Sequence, residues 1–288
     1  MGFSSMDAMT RRFRLVRAVA VLGLGLCVTA CAPSSGDPAG TGKASAVRLP
    51  DVVGGFDYQL GGAYPPPPGV TIVERDRTAE PAGAGYDICY VNGFQTQPGE
   101  SRAFAAAHPE LVVQTGSGPL VDEGWPDEYL FDTSTADKRA ALAELVGEWI
   151  DGCAADGFAA VEIDNLDSYT RSQGALAADD NLALAATYAE RAHAAGLAIA
   201  QKNTADQVSA LRALGYDFAV TESCVEYEEC AAYAAEHPVV LDIEYTDELG
   251  EDGFADACVD PGRPGVMILR DHSLRTPGNA EYVYRSCD

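Results

Sequence analysis

Basic side chains are scarce in this sequence. Nineteen lysines and arginines stand against 44 aspartates and glutamates in 288 residues, a formal net charge of -25. Nucleic-acid binding needs a basic surface that displaces phosphate counterions, so DNA and RNA are not expected partners. The same repulsion disfavours an anionic bilayer surface, whereas a cationic or neutral ligand fits. No GxGxxG follows the first strand-like run, which weakens any dinucleotide-binding reading. There is no CxxC spacing, and the four histidines (His108, His193, His237, His272) are scattered, so neither a zinc site nor another cofactor is expected. No apolar run reaches the roughly 20 residues of a membrane-spanning helix. What remains, 47% hydrophobic and 22% charged, is ordinary for a globular protein.

The N-terminus reads as an export segment. Arg11, Arg12, Arg14 and Arg17 precede an apolar run from Ala18 to Val28, the layout of a secretory signal over residues 1–30. The run ends in Val28-Thr29-Ala30-Cys31, which resembles a bacterial lipobox and marks Cys31 for lipidation; plain signal cleavage near Ala30 or Ala32 is the alternative. Either cut removes four arginines and one aspartate with residues 1–30, leaving 15 basic and 43 acidic side chains, a net charge of -28. A lipid on Cys31 is the one membrane attachment expected, placing the protein on the outer face of the cell membrane or, without it, in the medium. Residues 31–48, rich in Ser, Gly, Ala and Pro, read as a flexible linker before a domain over 49–288.

Beyond Cys27 and Cys31 six cysteines remain, an even number that in an oxidising compartment implies three disulfides. Cys224 and Cys230 are close in sequence at the end of a strand-like run. Cys258 with Cys287 would pin the C-terminus, which leaves Cys89 with Cys153.

Eight β-rich runs recur: Asp57–Leu60, Val70–Asp76, Tyr86–Asn92, Ala159–Asn165, Ala198–Asn203, Asp217–Ser223, Val239–Tyr245 and Val266–Asp271. Helical patterns lie between several of them. Leu142, Leu145, Val146, Trp149, Ile150 and Cys153 form one apolar stripe at helical spacing, and Asn181–Ala195 is an alanine-rich helix stopped by Gly196. Thr204 with Gln207 resembles a capping box for a short helix ending at Gly215. Strand and helix in alternation imply parallel pairing with right-handed crossovers, and eight strands favour one closed (β/α)8 TIM barrel.

Side chains alternate between the inside and outside of a barrel strand. In Ala159–Asn165 the carboxylates of Glu162 and Asp164 share one face and Val161 and Ile163 the other, so both acids are expected inward. By the same rule Ile72, Glu74 and Asp76, and then Val240, Asp242 and Glu244, are expected inward. Lys202 and Asn203 end the fifth run and Glu222 the sixth. Several carboxylates and one lysine thus converge where barrel active sites lie, and Glu162 is expected among the substrate contacts. Buried carboxylates repel and lose hydration, so such a cluster is paired, metal-bound or functional. Lys202 fits equally as counter-ion to Glu162 or as a substrate contact.

The segments Asp57-Tyr58-Gln59-Leu60, Val161-Glu162-Ile163-Asp164-Asn165, Gln201-Lys202-Asn203, Thr221-Glu222-Ser223-Cys224 with Cys230, and Ile243-Glu244-Tyr245 resemble glycoside hydrolase family 114. The resemblance spans about residues 55–288 and implies a TIM-barrel endo-α-1,4-polygalactosaminidase. It implies a catalytic pair at Asp164 and Glu222, and cleft positions for Asp76, Tyr90, Lys202, Asn203 and Glu244. After the third strand this chain has Asn92-Gly93-Phe94-Gln95-Thr96-Gln97 where many members carry a Ser-Gly-Glu-like turn.

Chemistry points the same way. A galactosamine polymer is cationic near neutral pH, so an acidic mouth attracts it. Glycoside cleavage needs two carboxylates: Asp164 fits the nucleophile, with Asn165 positioning it or the sugar, and Glu222 the acid and base. Tyr58, Tyr90, Tyr227, Tyr245 and Trp125 can stack on sugars. Two other classes remain: a non-catalytic glycan-binding lipoprotein on the same barrel, and a divalent-cation enzyme acting on another polyanion or ester.

Overall fold

The computed structural model describes residues 47–287. The expected export segment, Cys31 and residues 31–46 of the expected linker lie outside the described residues. Eight parallel strands follow one another around a sheet, each paired with its successor: β1 Gly55–Tyr58, β2 Val70–Asp76, β3 Tyr86–Asn92, β4 Ala160–Asp164, β5 Ala198–Lys202, β6 Phe218–Glu222, β7 Val240–Tyr245 and β8 Val266–Arg270. A ninth strand, β9 (Tyr284–Ser286), pairs antiparallel with β8. Val47 and Leu49 pack against the barrel-interior cluster and Arg48 stacks on Tyr86, so ordered packing begins two residues before the expected domain start.

Among the described residues no backbone ladder joins β1 to β8. Side chains bridge that seam instead: Arg270, at the end of β8 and fully buried, donates to Asp57 Oδ1 at 3.2 Å and to the carbonyl of Tyr58. Tyr284 of β9 adds a hydrogen bond to the carbonyl of Phe56 at 2.9 Å. Sequence alternation does not reveal such a seam, because the pattern of β8 is that of any other barrel strand.

The first two crossovers carry no helix, contrary to a regular alternation. Pro65 to Pro68 lack backbone donors and cannot continue a helix, and the β2–β3 connection is short. Six helices serve the remaining crossovers: α1 Ser101–Ala107, α2 Ala136–Asp156, α3 Ala178–Ala194, α4 Val208–Ala213, α5 Cys230–Glu236 and α6 Gly250–Cys258. Helix α2 starts where Thr135 accepts the Lys138 amide and stops at Gly157, whose φ of +93° suits a residue without a Cβ. Leu142, Val146, Ile150 and Cys153 form its buried stripe. The expected capping box at Thr204 does not form. Thr204 lies at φ +67° and its hydroxyl turns back to the Lys202 carbonyl, so a short 3-10 turn at Ala205–Gln207 precedes α4.

The barrel interior is layered. Phe56, Ile72, Ile88, Phe218, Val220, Leu241, Ile243, Val266 and Ile268 fill its lower part, while Tyr58, Glu74, Glu162, Lys202 and Tyr245 occupy the C-terminal end. All three expected disulfides are present: Cys89–Cys153 ties β3 to α2, Cys224–Cys230 closes the turn after β6, and Cys258–Cys287 fastens the C-terminus to α6. The first encloses a 64-residue span, so Cys89→Ala with Cys153→Ala should lower unfolding free energy by about 2–4 kcal/mol in denaturant titrations. An unchanged midpoint would show that the link carries no stability.

Candidate active site

The residues that follow β4, β5 and β6 break the extended backbone. Asn165 (φ +62°), Asn203 (φ +44°) and Ser223 (φ +59°) all occupy the left-handed region. Asparagine tolerates it best among residues with side chains, and such turns cluster at functional sites. They turn the chain sharply and leave Asp164, Lys202 and Glu222 at the lip of a cavity of about 500 Å³. Tyr58, Asp76, Tyr90, Asn165, Asn203 and Tyr245 line it too, as does Trp125, 57% exposed at the rim.

Lys202 Nζ organises the centre. It lies 2.7 Å from Tyr58 Oη, 3.2 Å from Glu162 Oε1, 3.2 Å from Glu222 Oε2 and 3.8 Å from Asp164 Oδ2. The Asp164 and Glu222 oxygens that share this ammonium are separated by no more than the sum of the two distances, about 7 Å, within reach of a pair flanking one glycosidic bond. Asp164 accepts from Tyr90 Oη and from the Asn165 amide, each at 2.7 Å. Glu222 accepts from the Tyr245 hydroxyl, and its own amide donates to Asn203 Oδ1 at 2.8 Å. Burial opposes the charge on Lys202, but Asp164, Glu162 and Glu222 prevail and hold its pKa well above the usual lysine value.

Below Lys202 lies a second carboxyl pair, Glu74 and Glu162, both fully buried. Neither oxygen of Glu74, nor Oε2 of Glu162, meets a donor among the described residues; one proton held between the carboxyls would pair an oxygen of each and leave the second Glu74 oxygen unpaired. Burial raises Glu74 well above the ordinary carboxylate range and Glu162 to about 7. The folded state therefore holds protons between about pH 4.5 and 7 that the unfolded chain has released, so stability falls as pH rises through that window. The unfolding temperature should be higher at pH 5 than at pH 8, and Glu74→Gln, which supplies an amide donor in place of the proton, should flatten the difference. A variant with the full wild-type pH dependence would contradict the shared proton.

Sequence reading missed a polar brace beside Asp164. Arg171 Nη2 donates to Asn165 Oδ1 at 2.7 Å, Nε to Asp122 Oδ2 at 2.7 Å and Nη1 to Asp167 Oδ1 at 2.8 Å. Gln95 Nε2 joins Asp122 and Asn165, and Asn165 donates to Asn92. The Asn92–Gln97 turn thus fixes Asn165, and through it the Asp164 backbone. Glu128 and Asp122 enter from the excursion between α1 and α2, where no periodic pattern signals them. The one described His/Cys/Asp/Glu grouping tight enough for a metal, Cys224, Cys230 and Asp242, has its cysteines bonded to each other.

The family model for glycoside-hydrolase family GH114 matches residues 37–288. The chain belongs to that family. No curated protein sequence matches it. The structure is similar to that of Aspergillus fumigatus Ega3 in complex with galactosamine, with a TM-score of 0.65 and 21% identity over 85% of this chain and 100% of that one. It is also similar to the glycoside hydrolase domain of PelA from Pseudomonas aeruginosa: two structures give TM-scores of 0.56 and 0.52, at 14% identity over 78% of this chain and 98% of that domain. At such identities the likeness is one of fold, the TIM barrel.

Within this GH114 barrel two expectations need correction. Glu244 does not reach the cleft. Strand β7 turns Leu241, Ile243 and Tyr245 inward and Asp242 and Glu244 outward, where Asp242 accepts from Thr221 Oγ1 at 2.6 Å and Glu244 from the Val225 amide at 2.8 Å. The lower barrel needs apolar bulk, so the apolar face of this strand goes inside. Burial raises the pKa of both outward acids. Glu162 points inward as expected but lies under Lys202 rather than on the cavity wall, so it is placed to hold Lys202 and not to touch a ligand.

Proposed function

We propose that this GH114 member is exported and hydrolyses α-1,4-linked galactosamine-containing polysaccharide, with Asp164 as nucleophile and Glu222 as acid and base. One observation carries the reading: two carboxylates from different strands converge on a single buried ammonium at the mouth of a cavity large enough for sugar units. Asp164 attacks the anomeric carbon while Glu222 protonates the departing glycosidic oxygen. Glu222 then takes a proton from water, which attacks the same carbon and frees Asp164. Tyr90 and the Asn165 amide hold Asp164 in one orientation throughout, and Lys202 stays protonated between the two acids.

A cationic, partly de-N-acetylated polymer suits the cleft, where Asp76, Asp122, Glu128 and Asp167 accompany the central pair. Trp125 offers an exposed ring for a sugar face. The galactosamine in the Ega3 complex supports the same substrate class. In our reading the acyl chain on Cys31 holds the enzyme at the outer membrane face, and the intact mass of the native protein tests it.

The test of function is release of reducing ends from de-N-acetylated and from fully N-acetylated galactosaminan, with and without chelator. Cleavage of the free-amine polymer that survives chelation supports the reading. Activity that needs a divalent cation, or none on either polymer, overturns it.

A further inference from the structure

Glu128 is the odd member of the cleft. Asp164 and Glu222 share Lys202 and tyrosine hydroxyls. Asp122 accepts from Arg171, Gln95 and the Gly124 and Trp125 amides, and Asp167 accepts from Arg171. Asp76 is capped by Thr78 and by Gln97 at 2.7 Å. Glu128 lines the same cavity at 5% exposure, yet among the described residues it receives one neutral donor, Asn92 Nδ2 at 2.8 Å to Oε2. Among the described residues its Oε1 accepts no hydrogen bond and opens on the cavity. The side chain is not there by looseness: the Glu128 amide bonds to the Trp125 carbonyl at 2.9 Å, and its carbonyl accepts the Asp122 amide at 3.0 Å.

A carboxylate this buried, with no cation bonded to it, is costly to keep charged, and a rigid one at a cavity wall gains from a cation that enters the cavity. Burial and the nearby charges of Asp164 and Asp122 raise the Glu128 pKa to about 7 despite Asn92 and Arg171, so the group gains most from a ligand cation near neutral pH. An ammonium on the sugar supplies that charge and the missing donor together. A hydroxyl or an acetamide supplies at most the donor.

We infer that Glu128 is the specificity-determining residue that reads the free amino group of the sugar bound beside Asp164. The inference rests on the galactosamine reading proposed above and deepens it. The excursion between α1 and α2 that carries Glu128 is then the element that sets tolerance of N-acetylation, apart from the strand ends that carry the chemistry.

The test is equilibrium titration of galactosamine, N-acetylgalactosamine and galactose, none of which can be hydrolysed, against the wild type, Glu128→Gln and Glu128→Asp at pH 7, followed by ligand-observed NMR. The wild type should prefer galactosamine. Glu128→Gln should lose about tenfold of that preference, the loss of one charge-assisted hydrogen bond, with its affinity for galactose little changed, and Glu128→Asp should keep part of it. In the wild type the Glu128 carboxyl carbon should titrate at lower pH with galactosamine than with galactose, a readout that needs no variant to fold. A folded Glu128→Gln with the full wild-type preference, or a Glu128 titration indifferent to galactosamine, overturns the inference while leaving the polymer cleavage standing. A wild type that neither prefers galactosamine nor cleaves its polymer overturns both.

Discussion

Asp164→Asn and Glu222→Gln should each lower turnover on galactosamine polymer by about 10²–10⁴-fold, the range associated with removing a positioned acid, base or nucleophile. Both replacements keep the shape of the side chain. At position 164 the remaining oxygen still accepts from the Asn165 amide while Tyr90 Oη can accept from the new Nδ2, and at 222 Tyr245 still has an oxygen to bond. The unfolding temperature should therefore move little, which separates lost chemistry from lost fold. Combining the two should cost little more than the worse single variant, because residues acting on one bond are not additive. Steady-state rates on one polymer preparation check all three, and a folded single variant with near-native turnover would show that the reacting carboxylates are others.

Lys202→Met has the largest expected effect on stability. The ammonium is 1% exposed, and it is the charge that lets Glu162, Asp164 and Glu222 sit together. Removing one partner of a buried ion pair costs about 3–5 kcal/mol. Asp164 and Glu222, 20% and 28% exposed, keep some hydration, which favours the lower figure. At roughly 2–4 °C per kcal/mol for a domain of this size, the unfolding temperature drops by about 10 °C near neutral pH. The drop should shrink below pH 5, where Glu162, raised to about 7 in the wild type, carries its proton and no longer needs the cation. Thermal unfolding at the two pH values checks both parts. A neutral-pH drop of only 1–2 °C would mean that the carboxylates, not the ammonium, hold the centre.

The strand framework was legible because alternation is a backbone property: Val70–Asp76 and Tyr86–Asn92 run over the expected residues, and the other barrel strands differ from expectation at their ends. Alternation does not say which face is inside. In β4 the acids point in and the aliphatics pack on helices, whereas in β7 the same pattern is reversed, since both faces of a barrel strand are buried and local packing decides. Asp164, Lys202 and Glu222 were readable from their positions at strand ends. Arg171, Asp122 and Glu128 were not, because they enter from irregular segments whose path depends on tertiary contacts such as the Gln95–Asp122 hydrogen bond. Counting gave the number of disulfides and position along the chain their pairing, whereas the seam at Arg270 could be found only in three dimensions.

The most direct test of the central claim is the product that Asp164→Gly forms from a galactosamine tetrasaccharide in the presence of azide. The variant leaves a space where the nucleophile stood, and azide entering there attacks the anomeric carbon while Glu222 still protonates the leaving oxygen. Restored cleavage and a β-configured galactosaminyl azide, identified by NMR, are the expected result. An α-configured azide would assign Asp164 to the acid and base role. Wild-type activity on the tetrasaccharide with no azide adduct and no rescue in the folded variant would contradict the assignment of Asp164 as nucleophile.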